Sequence, residues 1–147
     1  MKILILTKSF EREVTAFVRY ATTVASGLHF RVVMPDSSHT PLPVPLSRRR
    51  LYWAQHMRAA WFSPALLQDF KVFRPDIVHI FEEYSSLIAF QAVILRNMYC
   101  PESSIMVYAA ENIPGNVGVF FRLPARYVMH RAHLAFVCSH GVEQVLV

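Results

Sequence analysis

Hydrophobic runs of strand length alternate with helical stretches along this chain. In residues 11 to 25, Val14, Val18 and Ala21 recur at spacings of three and four, which indicates an amphipathic helix. The runs between the helical stretches are five or six residues long and largely apolar at successive positions, as in strands buried on both faces. Five strands are therefore predicted, at residues 2–7, 30–34, 77–81, 104–109 and 134–139.

The helical stretches fall between these strands. They are predicted at residues 14–25, 64–73, 87–99 and 119–131, with a further helix beginning near residue 140. Ser63 before Pro64, and Ser85 or Ser86 before the next stretch, are typical N-caps. Strands alternating with helices imply right-handed crossovers and a parallel sheet covered on both faces. The predicted fold class is therefore a three-layer, doubly wound α/β domain spanning residues 1–147.

Residues 47–62, "SRRRLYWAQHMRAAWF", combine basic and aromatic side chains with a looser helical pattern through Leu51, Ala54, Arg58 and Trp61. A basic and aromatic helix suits a membrane interface or another anionic partner. We therefore predict peripheral membrane contact through Arg48, Arg49 and Arg50. The alternative is a solvated helix face above a buried tryptophan stripe.

Composition limits the class of protein. Hydrophobic residues make up 54% of the chain, which excludes a disordered protein. The longest apolar stretch, Leu87 to Leu95, is interrupted by Gln91 and is shorter than the about 20 residues that a membrane-spanning helix needs. Residues 1–13 contain no signal-peptide cleavage pattern, so we expect a cytoplasmic protein, associated at most with the inner face of a membrane.

The formal net charge of +5 favours an anionic partner. The sequence contains no zinc-finger, helix-turn-helix or RNA-binding signature, so no nucleic-acid partner is expected. Cys100 and Cys138 have no metal-type or redox-type spacing, and no metal site is predicted.

Candidate binding residues follow the predicted strands. In doubly wound sheets ligands bind outside the carboxyl ends of the strands, near the point where strand order reverses. The segments expected at that edge include 7–9, 82–84 and 111–112. The first of them lacks glycine, so it matches neither the dinucleotide fingerprint nor a P-loop.

Each of these candidates also has a structural interpretation. Ser9 is a possible N-cap of the first helix, and Lys8 or Arg12 a possible ligand contact. The adjacent acids Glu82 and Glu83 fit either a solvated turn or the rim of a cleft. His79, in the middle of an apolar strand, is expected to be a hydrogen-bonded core residue.

Four segments together resemble a known family: "MKILIL", "FRPDIVHIFEEYSSLIAFQA", "VYAAENI" and "RYVMHRAHLAFVCSHGVEQVL". In their order and spacing they resemble the N-terminal, Rossmann-like half of family 4 (group 1) retaining glycosyltransferases of the GT-B fold. The resemblance covers essentially the whole chain. It implies an acceptor-binding domain of an enzyme that transfers a sugar from a nucleotide-sugar to a hydroxyl acceptor with retained configuration.

The resemblance also implies roles for individual residues. Glu111 and Asn112 would hydrogen-bond hydroxyl groups, Glu82 with Tyr84 would line the acceptor side, and Lys8 or Arg12 would meet an anionic acceptor group. No catalytic residue is implied.

In this family the nucleotide-sugar is a co-substrate bound mainly by a C-terminal domain with a Glu-x7-Glu pair, and no other cofactor is expected. This chain has no two glutamates eight positions apart, so we expect the C-terminal domain to be absent and the chain alone to be inactive.

A second hypothesis comes from a different class of protein. The chain is then a non-enzymatic α/β module that binds anionic lipid or protein surfaces through its basic and aromatic segment. An apolar face left exposed in either case would favour self-association, so a homo-oligomer is also expected.

Overall fold

The computed structural model describes residues 1–39, 41–109 and 118–137. Within them the elements follow in the order β1 (Lys2–Leu6), α1 (Glu11–Val24), β2 (His29–Pro35), β3 (Leu46–Arg49), β4 (Leu51–Tyr52), β5 (Trp61–Phe62), α2 (Leu66–Phe73), β6 (Ile77–Glu83), α3 (Leu87–Tyr99), β7 (Ser104–Ala109), α4 (Val119–Arg131) and β8 (Leu134–Val137). None of these helices has both the length and the hydropathy needed to cross a bilayer.

Six of the described strands form one sheet in the order β3-β2-β1-β6-β7-β8, and every neighbouring pair is parallel. The strand order reverses between β1 and β6: β2 and β3 are added on one side of β1, and β6, β7 and β8 are then added on its other side. The predicted α/β class with a mainly parallel sheet is confirmed. β4 and β5 form a separate antiparallel pair.

The core lies on both faces of the sheet, as alternation along β1 requires. Ile3 and Ile5 pack on the face covered by α1, whereas Leu4 and Leu6 pack on the face covered by α2, α3 and α4. All four side chains are buried, so β1 is the centre of the three layers. This explains why the sequence shows a continuous apolar run at the start of the chain.

The five predicted strands and the helices predicted at residues 14–25, 64–73, 87–99 and 119–131 are confirmed within the described residues, with small shifts at their ends. The helix predicted to begin near residue 140 lies outside the described residues. Ser86 is the N-cap of α3, and its hydroxyl accepts a hydrogen bond from the Ala89 amide at 3.1 Å. Phe10, and not Ser9, occupies the N-cap position of α1.

The helix predicted within residues 47–62 is wrong. Leu46–Arg49 is an edge strand paired with β2, and Leu51–Tyr52 pairs with Trp61–Phe62. Gln91 of α3 holds this hairpin, because its side-chain amide accepts from Phe62 N at 3.0 Å and donates to Phe62 O at 2.8 Å. These long-range contacts outweigh the weak helical spacing of the segment.

The three arginines predicted to contact a membrane bind groups of this chain. Arg48 Nε donates to Ser38 O at 3.1 Å, and the Arg50 guanidinium lies 5.2 Å from the centre of the Tyr52 ring. Arg49 forms a two-pronged pair with Asp69 of α2, with Nε–Oδ2 at 2.8 Å and Nη2–Oδ1 at 3.1 Å. Asp69 is fully buried, so Arg49 joins the edge strand to the helical layer beneath it.

Replacing Arg49 should destabilise the fold. In Arg49→Ala the fully buried Asp69 carboxylate keeps only Arg31, whose Nη1 lies 3.8 Å away, so the free energy of unfolding should fall by about 3 kcal/mol. Arg50→Ala is the matched control and should change it by less than about 0.5 kcal/mol. Urea denaturation measures both values, and equal values for the two variants would contradict the structural role of Arg49.

Candidate functional site

The candidate site lies at the carboxyl edge of the sheet, where β1 and β6 end side by side. This is the point of strand-order reversal at which doubly wound sheets bind ligands. The turn Thr7–Phe10 joins β1 to α1 there, and Glu82 is the penultimate residue of the neighbouring strand β6. The pairing of β6 with β7 is irregular between Ile80 and Glu83, so the end of β6 departs from a regular ladder next to this turn.

The Glu82 carboxylate is the centre of a hydrogen-bond network with that turn. Its Oε1 accepts from Lys8 N at 2.5 Å, from Ser9 N at 2.9 Å and from the Thr7 hydroxyl at 3.3 Å. Thr7 Oγ1 in turn accepts from Phe10 N at 3.0 Å. One buried side chain from β6 therefore binds the donors of the first turn at the start of α1.

Burial raises the pKa of Glu82, while the hydrogen bonds from Lys8 and Ser9, the charge of Lys8 and the hydrogen bond from Thr7 oppose that rise. Backbone N–H groups before a helix attract an anion, and in nucleotide-binding folds that anion is a phosphate. Here the carboxyl group of the chain's own Glu82 takes that position. A ligand phosphate would reach these two N–H groups only by displacing Glu82.

Lys8 holds a loop against the same edge. Its ammonium group donates to the carbonyl oxygens of His56 and Met57, each at 2.9 Å. Burial lowers the pKa of Lys8, and the Glu82 charge partly offsets that shift. The loop between β4 and β5 is also joined to α3, because Leu87 N donates to Arg58 O at 2.8 Å. Lys8 therefore fixes the loop between β4 and β5 at the carboxyl edge of the sheet.

The other predicted site residues occupy different environments. Arg12 is exposed in the first turn of α1, close in sequence to the Glu82 network. Tyr84 is buried in the core that faces α2 and α3. Glu111 and Asn112 lie outside the described residues. The structure thus brings Lys8 and Glu82 together, and a role in binding substrate stays a prediction for all the residues in this set.

An aromatic cluster on the α1 face of the sheet was not predicted. Its rings line a cavity of about 180 Å³ and belong to Phe17, His79, Phe81, Tyr108 and Phe136. Part of the signal was present in the sequence, because His79 and Phe81 stand at alternate positions of β6 and therefore share one face of the sheet. Tyr108 of β7, Phe136 of β8 and Phe17 of α1 complete the cluster.

His79 lies within this cluster, and only 2% of it is exposed. Its imidazole stacks on Phe136 at 5.6 Å and meets Phe17 edge-on at 5.6 Å between ring centres. Its Nε2 has no hydrogen-bond partner among the described residues, so the expectation of a hydrogen-bonded histidine is wrong for that atom. Burial lowers the pKa of His79 to about 4, so the imidazole is neutral at physiological pH.

A second cavity, of about 340 Å³, runs along α3 and is almost entirely apolar. It is bordered by one face of the helix and by β5, with lining residues Trp61, Leu87, Phe90, Gln91, Ile94 and Leu95. Neither this cavity nor the aromatic one is lined by Lys8 or Glu82. The predicted polar residues and the two cavities are therefore separate features.

Comparison with known proteins gives a likeness in structure but none in sequence. No family model matches the sequence, and no curated protein matches it. The fold is similar to the structure of UDP-GlcNAc 2-epimerase from Methanocaldococcus jannaschii, with a TM-score of 0.63 and 10% sequence identity. The match covers 99% of this chain and 42% of that enzyme's chain. At this identity the likeness shows a shared Rossmann-like α/β fold.

The Glu82 network leads to a prediction about charge. Glu82→Ala leaves the N–H groups of Lys8 and Ser9 without their acceptor, which should lower the free energy of unfolding by about 2 kcal/mol or more. Glu82→Gln keeps an oxygen acceptor. Because the pKa of Glu82 is raised in the folded state, ionised Glu82 costs stability as pH rises, and the neutral amide should be at least as stable as the wild type near neutral pH.

The exposed carboxylate of Glu13, in the first turn of α1, supplies the control for this pair. Glu13→Gln should change the free energy of unfolding by less than about 0.5 kcal/mol. Chemical denaturation measures all three variants. If Glu82→Gln were as destabilised as Glu82→Ala, the charge rather than the acceptor atom would stabilise the turn.

His79 should make folding dependent on pH. Its pKa is about 4 in the folded state against 6.5 for an ordinary histidine, so the unfolded chain binds the extra proton between these values. Stability is therefore complete above about pH 6.5 and is lost as pH falls towards 4, by about 3 kcal/mol in total.

Replacing His79 should remove that contribution. His79→Phe should flatten the fall in unfolding free energy between neutral and acidic pH, whereas the exposed His29→Gln should keep the wild-type slope. Denaturation measured at a series of pH values compares the three proteins. An unchanged slope in His79→Phe would show that His79 is charged or solvated in the folded chain.

Proposed function

We propose that this chain is the acceptor-binding domain of a GT-B-type enzyme that transfers a sugar from a nucleotide-sugar to a hydroxyl acceptor with retention of configuration. The observation that carries the proposal is the fold: nearly the whole chain matches part of an enzyme named for its nucleotide-sugar substrate. The resemblance of the sequence segments to retaining glycosyltransferases narrows the reaction to glycosyl transfer.

The Glu82 network supports a role with the acceptor rather than the donor. A nucleotide-sugar carries a diphosphate, and the usual phosphate position in a Rossmann-like domain is at the first strand-to-helix turn. Glu82 occupies the Lys8 and Ser9 amides at that turn. The diphosphate would then bind elsewhere, which fits a division in which another domain holds the donor.

Among the described residues, Arg12 is the exposed cation that we propose contacts the acceptor. It is exposed at the start of α1, near the edge where Thr7, Lys8 and Glu82 meet. Its guanidinium suits an anionic acceptor such as a sugar phosphate or a phospholipid headgroup. Glu111 and Asn112 follow β7, whose carboxyl end lies on the same edge, and would bind acceptor hydroxyls.

The name of the structural neighbour favours a second candidate function, a domain of a nucleotide-sugar epimerase. The two reactions differ in what they consume. Glycosyl transfer requires an acceptor and releases a nucleoside diphosphate, whereas epimerisation inverts a sugar carbon. Product analysis of a nucleotide-sugar incubated with and without an acceptor, in the presence of this chain combined with a donor-binding domain, therefore distinguishes them.

NMR titration tests the site of acceptor binding. Sugar phosphates added to the isotope-labelled chain should shift the amide signals of residues 7–12 at weak, about millimolar, affinity. Arg12→Ala should weaken that binding about fivefold or more, because it removes a charged contact. Arg19→Ala, an exposed arginine two turns further along α1, is the matched control and should leave the affinity unchanged.

Two results would contradict this proposal. Shifts confined to the amino edge of the sheet, or equal losses in Arg12→Ala and Arg19→Ala, would mean that the carboxyl edge does not bind the acceptor. Release of nucleoside diphosphate from a nucleotide-sugar by the 147-residue chain alone would contradict its role as an acceptor domain dependent on a separate donor site.

A further inference from the structure

Large apolar side chains protrude from the start of α4. Phe120 is 89% exposed and Leu123 is 78% exposed, and Val119 beside them is also mostly in solvent. Burying large apolar side chains is favourable, so exposure this high leaves binding energy unused in the isolated chain. Because α4 follows β7, its first turns lie at the carboxyl edge of the sheet, the same edge as the Glu82 network.

The solvent-facing side of α4 also carries positive charge. Arg122 and Leu123 lie three and four residues after Val119, and Arg126 lies four and three residues after them, so these four side chains share one helix face. Arg122 and Arg126 are both exposed, and the helix contains no acidic residue. Ala125 and Val128 are buried on the opposite side against the core. The outward face therefore combines apolar side chains with arginines.

A second element presents apolar side chains at this edge. The loop between β4 and β5 exposes Trp53 and Met57, by 58% and 70% respectively. The Lys8 ammonium group fixes the position of this loop at the carboxyl edge through the carbonyl of Met57. Two segments that are distant in sequence thus expose tryptophan, methionine, phenylalanine and leucine at one end of the molecule.

We propose that this end of the protein binds the surface of an anionic lipid bilayer. Phe120 and Leu123, with Trp53 from the loop, would enter the headgroup region, while Arg122 and Arg126 would contact lipid phosphates. Interfacial helices bind in this way, through buried apolar area together with attraction to anionic lipids. This surface is separate from Arg48, Arg49 and Arg50, for which membrane contact stays a prediction, and it does not depend on the proposed enzymatic function.

The combination of side chains favours a membrane over a soluble polyanion. A nucleic acid would use the arginines, but exposed leucine and phenylalanine side chains would gain little from a phosphate backbone. Tryptophan and phenylalanine beside arginine are typical of residues that lie at the boundary between headgroups and acyl chains. The positive charge of this helix face is complementary to acidic lipid headgroups, and its apolar side chains suit the acyl-chain region beneath the headgroups.

Vesicle co-sedimentation of the full chain tests this proposal. Binding is expected to mixed phosphatidylglycerol and phosphatidylcholine vesicles and to be much weaker with phosphatidylcholine alone. Phe120→Ser should reduce binding about tenfold, since it removes one inserted aromatic side chain. Arg126→Gln should reduce it about fivefold, and only on the anionic vesicles.

Val24→Ser is the matched control, because Val24 is also an exposed apolar residue but lies at the end of α1, at the opposite edge of the sheet. It should bind like the wild type. Tryptophan fluorescence of the Trp61→Phe protein, which keeps Trp53, should shift to shorter wavelength when vesicles are added. Circular dichroism of each variant establishes that a loss of binding is not a loss of folding.

Three outcomes would overturn the proposal. The first is wild-type binding by folded Phe120→Ser. The second is an equal loss of binding in Val24→Ser. The third is binding to single-stranded DNA as strong as binding to anionic vesicles with the same dependence on Arg126, which would make this face a general polyanion surface.

Discussion

One carboxyl group, that of Glu82, joins the elements that meet where the strand order of the sheet reverses. Glu82 joins the end of β6 to the turn between β1 and α1 by three hydrogen bonds to a single oxygen atom. β1 and β6 are the central pair from which the two halves of the sheet extend. The same contact stabilises the start of α1, fixes the central strands at their carboxyl ends and fills an anion position with an internal group.

This arrangement explains how a Rossmann-like domain can lack glycine in its first turn. Glycines there allow a diphosphate to approach the backbone. In this chain the Glu82 side chain reaches the backbone of the turn from the neighbouring strand β6. No diphosphate has to approach, so the turn can carry Lys8, Ser9 and Phe10 in place of glycines. Lys8 then serves twice, with its backbone N–H on Glu82 and its side chain on the loop after β4. The donors that bind a ligand in related folds are structural donors in this one.

The sequence predicts the fold well because the strands and helices carry strong periodic signals. β1 is apolar at every position from Ile3 to Leu6, and Ser86 precedes an unbroken helical stretch. The helix predicted within residues 47–62 is wrong for the opposite reason. Their local spacing is ambiguous, and contacts from distant residues such as Gln91 and Asp69 decide their conformation. The pairing of Glu82 with Lys8 was equally invisible, since it joins residues 74 positions apart.

The hold of Gln91 on Phe62 has a consequence for the order in which the chain assembles. Strands of two residues are too short to be stable by themselves. The backbone N–H and carbonyl groups of Phe62 are paired instead with the side chain of Gln91, 29 residues further along the chain. We therefore expect the hairpin to be stable only when α3 is docked on the sheet. On this argument its short ladder opens more readily than the ladders of the central strands, which hold neighbours on both sides.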